Sequence, residues 1–75
     1  MDDGIAELYR IVSKIKSIPV AGLHETLELS SLDLDSLDVL EVVMEIEDAF
    51  SIELDPATLA NCKTLADVMS VVRRQ

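Results

Sequence analysis

The most regular hydrophobic pattern of the chain lies in residues 35–50, which read DSLDVLEVVMEIEDAF. Apolar side chains recur there at intervals of three and four residues, the spacing that places them on one face of an α-helix. This stripe comprises Val39, Val42, Val43, Ile46, Ala49 and Phe50. Acidic residues form a neighbouring strip, and three further apolar residues lie between the two, namely Leu37, Leu40 and Met44. The pattern predicts a helix over residues 35–50 that buries the first stripe and leaves the other three apolar residues outside the core.

The beginning of this helix carries candidate chemistry. Asp35 and Ser36 are both residue types favoured as N-caps, and Asp38 places a negative charge where the helix dipole favours it. The Ser36 hydroxyl would then lie at the positive end of the helix, beside backbone N–H groups that have no intrahelical partner. A phosphate esterified to that hydroxyl would meet a favourable field. A role for Ser36 as a cap alone is the alternative that the local pattern leaves open.

The residues before this helix predict a first helix and a long connection. Residues 4–17 carry a helical stripe made of Ile5, Leu8, Val12 and Ile15, with Tyr9 and Ile11 at its edges. Pro19 and Gly22 then end regular structure, and residues 18–35 are expected to be irregular, with a helical turn within them left open. Leucines recur in this connection too often for a solvated linker, at Leu23, Leu27, Leu29 and Leu32. We therefore expect the connection to lie across the helices.

The residues after it predict extended chain, a short helix and a final helix. Residues 51–54 alternate apolar and polar, and Asp55-Pro56 combines an N-cap residue with a proline at the first helical position. Thr64 followed by Asp67 predicts the start of the last helix. That helix is expected to bury Leu65, Val68, Met69 and Val72 and to end at Arg73 and Arg74. The patterns together predict an all-α fold of three main helices plus one short helix, without a sheet.

Size and cysteine content limit the classes of protein to which the chain can belong. A chain of 75 residues predicts a single domain, residues 1–75, with no room for a core and an elaborate catalytic cleft. No apolar run approaches the roughly 18 residues needed to cross a membrane, and the N-terminus lacks the basic start of a signal peptide. The single cysteine, Cys62, has no internal partner for a disulfide. A reducing, cytoplasmic location is the expectation.

The distribution of charge points to the kind of partner. The net charge is −9, and the span between Ser17 and Lys63 contains eleven acids but neither lysine nor arginine. Acidic surface repels phosphate backbones, so nucleic-acid binding is disfavoured. The same surface attracts basic surfaces on other proteins and speeds encounter with them. Solubility of a small protein is the alternative explanation of the charge.

Enzymatic and metal-binding interpretations fail on the residues available. A triad of Ser36, His24 and an aspartate would also need an oxyanion hole and a substrate pocket, for which the chain is too small. His24 is expected to be a surface residue of the connection. Asp33 and Asp35 have the first spacing of a calcium loop, but the later ligand positions do not match. Cysteine and histidine are too few for zinc, so no metal site is expected.

The residues around Ser36 resemble a known family. The run Asp35-Ser36-Leu37-Asp38, followed by Glu41, Met44, Glu47 and Phe50, is similar to the phosphopantetheine attachment motif of acyl carrier proteins. The similarity continues through Ile52-Glu53-Leu54 and Thr64-Leu65 without a gap, and the first helix fits in length and position. The chain thus resembles a discrete (type II) acyl carrier protein over nearly its whole length.

The resemblance implies a right-handed helical bundle and a covalent cofactor. Ser36, between Asp35 and Leu37, would receive 4'-phosphopantetheine from coenzyme A through a phosphopantetheinyl transferase. The protein would hold acyl groups as thioesters on the thiol of this arm, as a carrier and not an enzyme. As a monomer it would deliver them to acyl-transferring or synthase enzymes with basic surfaces, in fatty-acid, polyketide or specialised lipid synthesis.

Two sets of residues follow from the same resemblance. The surface read by partner enzymes would comprise Leu37, Asp38, Leu40, Glu41, Met44, Glu47 and Asp48. An acyl chain would shelter between the second and third helices, bordered by Val39, Val43, Ile46, Leu54, Leu59 and Cys62. Leu59 and Cys62 are three residues apart on the predicted short helix, so both are expected to face the bundle, with the Cys62 thiol buried.

The chain departs from the family pattern at two places, and the alternatives remain open. Asp33-Leu34 stands where discrete members often have Gly-Ala, and residues 56–63 of the short helix contain no acid. A specialised carrier is therefore as open as the housekeeping carrier of fatty-acid synthesis. A peptidyl or aminoacyl carrier of a nonribosomal pathway is a related alternative, although Asp38 and the strong acidity favour the acyl side. An acidic helical interaction domain without a covalent cofactor is the alternative from another class.

Overall fold

Four α-helices form the regular structure of residues 4–74, the part of the chain that the computed structural model describes. They are α1 (Gly4–Lys16), α2 (Ser36–Phe50), α3 (Pro56–Ala60) and α4 (Leu65–Arg73). The described residues contain no strand, and one isolated antiparallel bridge joins Glu28 to Thr64. The predicted all-α class, with three main helices and one short helix, is confirmed. None of the helices within residues 4–74 has the length and apolar character of a membrane span.

Helix α2 begins with a reciprocal capping box. The Asp35 carboxylate accepts a hydrogen bond from the backbone N–H of Asp38 at 2.8 Å. The Asp38 carboxylate in turn accepts one from the N–H of Asp35 at 3.3 Å. Asp35 is therefore the N-cap, and Ser36 is the first residue of the helix. The capping role that was open for Ser36 is filled by its neighbour.

The two later helices begin as their sequences predict. The Asp55 carboxylate accepts the N–H of Ala57 at 3.0 Å, and Pro56 occupies the first helical position of α3. Thr64 and Asp67 form a second capping box at the start of α4. These caps satisfy N–H groups that the helices leave unpaired, so each helix has a defined first residue.

The core lies where α1 packs against α2 and α4, with α3 packed against α2. It is wholly aliphatic apart from one thioether, and its members are Leu8, Ile11, Val12, Leu23, Leu32, Val42, Val43, Ile46, Leu54, Leu59, Leu65, Val68, Met69, Val71 and Val72. The connection between α1 and α2 supplies two of these leucines, as expected for a segment that lies across the helices.

Two facing predictions are wrong in detail, and a third is incomplete. Ala49 is exposed, because at about 100° per residue it lies roughly 80° from Val39, at the edge of the stripe. Ile11 is buried, although its stripe placed it at an edge, because α1 has helices on two sides and therefore a wide buried face. Val71 of α4 is buried too, beyond the four side chains predicted to face inward.

Backbone hydrogen bonds fix the connection between α1 and α2 to the start of α4. The Leu29 N–H donates to the Lys63 carbonyl at 2.7 Å, and the Ala66 N–H donates to the Glu25 carbonyl at 2.8 Å. Two short 3₁₀ turns, Val20–Gly22 and Leu29–Leu32, interrupt its irregular course. The segment that connects α1 to α2 is therefore ordered and is held by hydrogen bonds against the start of α4.

Helix α2 ends at a serine in a conformation that glycine adopts more easily. Ser51 is exposed, has φ 55° and donates its N–H to the Glu47 carbonyl. A left-handed conformation costs a residue with a Cβ about 1–2 kcal/mol, and glycine avoids this cost. Part of that gain in stability is lost, because glycine also raises the conformational entropy of the unfolded chain. We expect Ser51→Gly to raise the free energy of unfolding in urea by about 0.5–1 kcal/mol. The control Ser70→Gly, in the exposed interior of α4, should lower it by about 0.5 kcal/mol. Equal destabilisation by both changes would contradict the argument.

Candidate functional site

The hydroxyl of Ser36 lies exposed at the first position of α2. Among the described residues, no side-chain hydrogen bond engages it, because the neighbouring carboxylates of Asp35 and Asp38 carry out the capping. The first N–H groups of a helix bear partial positive charge, which favours an anion at this end. The site therefore offers an unencumbered nucleophile in a position that suits a phosphate ester.

The turn that leads into Ser36 is built from the unusual Asp33-Leu34 pair. Asp33 has φ 55° and ψ 49°, a left-handed conformation that glycine adopts without cost and that aspartate tolerates better than most residues. The side chain of Leu34 is half-buried against the core. The departure from Gly-Ala is thus accommodated, since Asp33 supplies the turn and Leu34 anchors it.

Lys16 at the end of α1 contacts both this turn and the first turn of α2. The Lys16 ammonium donates hydrogen bonds to Oδ2 of Asp38 at 2.9 Å and to the backbone carbonyl of Asp33 at 3.2 Å. The hydrogen bond between the side chains raises the pKa of Lys16 and lowers the pKa of the Asp38 carboxyl. Lys16 thereby fixes the turn before Ser36 and offsets one of the negative charges beside it.

Three large apolar side chains are exposed along α2. They are Leu37, Leu40 and Met44, the residues that the helical pattern left outside the core stripe. Their spacing of three and four residues places them in one row that begins directly after Ser36. An exposed apolar row beside a reactive group is typical of a surface that binds another protein.

The acids near this row differ in their surroundings. Glu41 and Asp48 are exposed, and no ion pair within the described residues involves either of them. Glu47 is half-buried, and its carboxylate accepts the N–H of Leu54 at 2.8 Å. Glu45 lies 3.0 Å from the ammonium of Lys14. Of the residues proposed from sequence for partner binding, the acids Asp38 and Glu47 are thus engaged within the molecule.

A cleft of about 700 Å³ opens between the connection, the start of α2 and the end of α3. Its lining consists of Glu28, Leu29, Ser30, Asp33, Leu34, Val39, Leu59, Ala60, Cys62 and Lys63. Three residues predicted to border an acyl chain are among them, whereas Val43, Ile46 and Leu54 lie in the core instead. The sequence did not identify the lining from the connection, because only the folded backbone brings residues 28–34 against α3.

Cys62 lies outside the helix to which its spacing assigned it. Helix α3 ends at Ala60, so Cys62 follows it, with its Sγ 3.4 Å from the Thr58 carbonyl. The thiol is half-buried at the cleft and not fully enclosed. Burial, with the nearby charge of Asp67, raises the pKa of the Cys62 thiol. The thiol is therefore mostly protonated at neutral pH and a weak nucleophile.

The remaining sequence candidates carry no site. His24 is exposed, and its Nδ1 lies 2.9 Å from the Thr26 hydroxyl. Within the described residues, no hydrogen bond joins His24 to Ser36. Across residues 4–74, no group of three or more histidine, cysteine, aspartate or glutamate side chains is placed to hold a metal ion.

Comparison with known proteins identifies the family. A family model described as "Phosphopantetheine attachment site" matches residues 6–72. The acyl carrier protein of Lactococcus lactis subsp. cremoris (strain MG1363) is 47% identical over 69 residues, which cover 83% of this chain and 92% of that protein. The acyl carrier protein of Thermobifida fusca (strain YX) is 32% identical over 73 residues, 96% of this chain and 89% of the relative. The acyl carrier protein of Onion yellows phytoplasma (strain OY-M) is 49% identical over 43 residues, and the match spans 57% of each protein. The chain therefore belongs to the phosphopantetheine-attachment family of acyl carrier proteins, which are carriers rather than enzymes and hold their cargo on a covalent 4'-phosphopantetheine.

Proposed function

We propose that Ser36 is the attachment residue and that the protein carries acyl groups as thioesters. The observation that supports this most directly is the exposed Ser36 hydroxyl, unbonded within the described residues, at the N-terminus of α2. The bound arm supplies a terminal thiol for thioester formation. On attachment, the Ser36 oxygen forms a bond to the phosphorus that carries pantetheine, the phosphoanhydride bond of coenzyme A breaks, adenosine 3',5'-bisphosphate leaves with the electron pair of that bond, and the hydroxyl proton is released. The residues of this chain provide the nucleophile and its position.

The charges around Ser36 suit an added phosphodiester. Asp35 directs its carboxylate to the N–H of Asp38, and Asp38 directs its own to Asp35 and to the ammonium of Lys16. Neither carboxylate is left to repel the phosphate without compensation. The positive end of α2 adds a stabilisation of about 0.3–1 kcal/mol for an exposed anion.

The exposed face of α2 is the proposed docking surface for partner enzymes. Leu37, Leu40 and Met44 would supply apolar contact, and Glu41 and Asp48 would attract basic groups on a phosphopantetheinyl transferase or synthase. Such charges mainly raise the rate of association, and salt screens them over about 8 Å at physiological ionic strength. The carrier would act as a monomer in a reducing compartment, in keeping with its single cysteine.

The cleft beside Ser36 is the proposed shelter for the acyl group. Leu34, Val39 and Leu59 give it an apolar floor, while Glu28 and Lys63 place charge at its rim. Helix α3 has only five residues, too few for independent stability, so it can shift to admit a chain. The proposed cargo is an acyl group of fatty-acid, polyketide or specialised lipid synthesis, whose apolar chain would lie in this cleft.

The reactivity of Cys62 tests the cleft. Labelling of the apo protein by a thiol reagent should be slower than labelling of an exposed reference, Ala49→Cys in a Cys62→Ala background. A medium-length acyl group on the arm should slow labelling of Cys62 further, because the chain would cover the thiol. The acyl group should leave the Ala49→Cys reference unchanged. Rates of Cys62 labelling that ignore the acyl group would place the chain elsewhere.

Mass spectrometry of the intact protein tests the carrier function. The protein is incubated with coenzyme A and a broad-specificity phosphopantetheinyl transferase, and the expected result is a gain of one phosphopantetheine. Incubation with an acyl-coenzyme A in place of coenzyme A should add the acylated arm, which hydroxylamine then cleaves at the thioester. Absence of any gain would contradict the proposal and favour an interaction domain without a covalent cofactor.

A further inference from the structure

The two lysines of α1 that reach α2 form ion pairs of different character. Lys16 and Asp38 have side chains that are 21% and 18% exposed, whereas those of Lys14 and Glu45 are 65% and 41% exposed. The nitrogen–oxygen distances are alike, 2.9 Å and 3.0 Å. Because solvent screens exposed pairs strongly, the pair of Lys16 with Asp38 is held more firmly than the outer one.

The Asp38 carboxylate is occupied on one oxygen by two donors. Its Oδ2 accepts from the Lys16 ammonium at 2.9 Å and from the Asp35 N–H at 3.3 Å. Lys16 also donates to the Asp33 carbonyl at 3.2 Å, so it is tied both to the turn before Ser36 and to the first turn of α2. A basic group on a partner therefore meets a carboxylate whose charge Lys16 already offsets, and within the described residues only its Oδ1 accepts no hydrogen bond.

Glu41 lies three residues after Asp38 on the same helix and is in the opposite situation. Glu41 and Asp48 are exposed, and no described cation pairs with them. A partner with a basic surface meets these two carboxylates without competition from within the molecule. From the sequence, Asp38, Glu41 and Asp48 are equal candidates for binding a basic partner. In the fold, only Asp38 of the three is paired with a cation of the described chain.

We propose that Lys16 is a specificity-determining residue that offsets the charge of Asp38, so that recognition of this face by basic partners depends mainly on Glu41 and Asp48. The inference rests on the proposed attachment of 4'-phosphopantetheine to Ser36, since a transferase is the partner that reads the face. Lys16 acts through Asp38 and does not touch the reacting atoms.

The test compares Lys16→Met with the matched control Lys14→Met, which removes the same charge from the outer pair. Steady-state loading by a phosphopantetheinyl transferase with a basic surface gives KM and kcat for the full chain at low ionic strength. Lys16→Met should lower KM by about two- to fivefold more than the control does, the range expected for one freed surface ion pair. The freed Asp38 carboxylate should act on KM, and kcat is measured separately because a loosened turn before Ser36 would lower it. A purely structural role for Lys16 predicts the opposite sign, because a loosened turn would impair loading.

The substitution Asp38→Asn completes the cycle. In a protein that already carries Asp38→Asn, Lys16→Met should lower KM no more than Lys14→Met does. A larger decrease in KM from Lys16→Met in that protein would overturn the inference. If circular dichroism shows that Lys16→Met does not fold, Asp38→Asn is compared with Glu41→Gln. Asp38→Asn should raise KM less, because Lys16 already offsets the charge of Asp38. An equal or larger effect of Asp38→Asn would overturn the inference. Loading with equal KM in both lysine variants rejects this inference alone, whereas no loading in any variant rejects the proposed function and the inference with it.

Discussion

Replacing Ser36 by alanine is expected to abolish loading with 4'-phosphopantetheine while leaving the fold intact. The Ser36 side chain is exposed and the N-cap is Asp35, so the change removes no capping bond and no core contact. Alanine is also a strong helix former, and the free energy of unfolding should change by less than about 0.5 kcal/mol. Intact mass after incubation with coenzyme A and a transferase measures loading, and urea unfolding measures stability.

The matched control for Ser36→Ala is an exposed serine in the cleft between the connection, the start of α2 and the end of α3. Ser30 lines that cleft on the connection, and Ser30→Ala should be loaded as the unmodified protein is. A mass gain that survives in Ser36→Ala would move the attachment residue elsewhere. Loss of loading in Ser30→Ala as well, with both variants folded, would show that loading depends on the cleft rim as well as on the hydroxyl.

The parts of the fold that sequence predicted are those determined by nearby residues. The pairs Asp35 with Asp38 and Thr64 with Asp67 cap their helices through contacts three residues apart, so the pattern located the start of α4 and placed the start of α2 within one residue. The exposed apolar row on α2 was likewise readable, because helical periodicity separates it from the buried stripe. The position of Ser36 at the start of α2 depends only on such local features.

The parts that sequence missed depend on contacts between distant segments. Lys16 and Asp38 are 22 residues apart, and their ion pair exists only because the connection returns the chain to the end of α1. The cleft owes Leu29 and Leu34 to that same connection, whose course no periodicity describes. Cys62 was misplaced because the end of α3 at Ala60 carries no strong stop signal. Ile46, predicted to border an acyl chain, faces the centre of the core instead.

Replacing Ile46 by alanine is expected to produce the largest loss of stability among the substitutions considered. Its side chain is 0% exposed, at the centre of the face where α2 meets the other helices. Deletion of a large buried aliphatic side chain costs about 2–5 kcal/mol, because the cavity that remains cannot fully collapse. A natural domain of this size has about 5 kcal/mol or somewhat more in total. Ile46→Ala should therefore have a sharply lower urea midpoint and a measurable unfolded fraction in buffer.

Leu37 provides the control on the opposite face of the same helix. It is 71% exposed, so Leu37→Ala removes little buried area and should cost less than about 0.5 kcal/mol. The same change should raise KM for loading, since the exposed row would lose its member nearest Ser36. The two substitutions thus separate stability from recognition: one should affect the urea midpoint, and the other should affect KM. Equal destabilisation by Ile46→Ala and Leu37→Ala would mean that α2 faces the core differently from the structure described above.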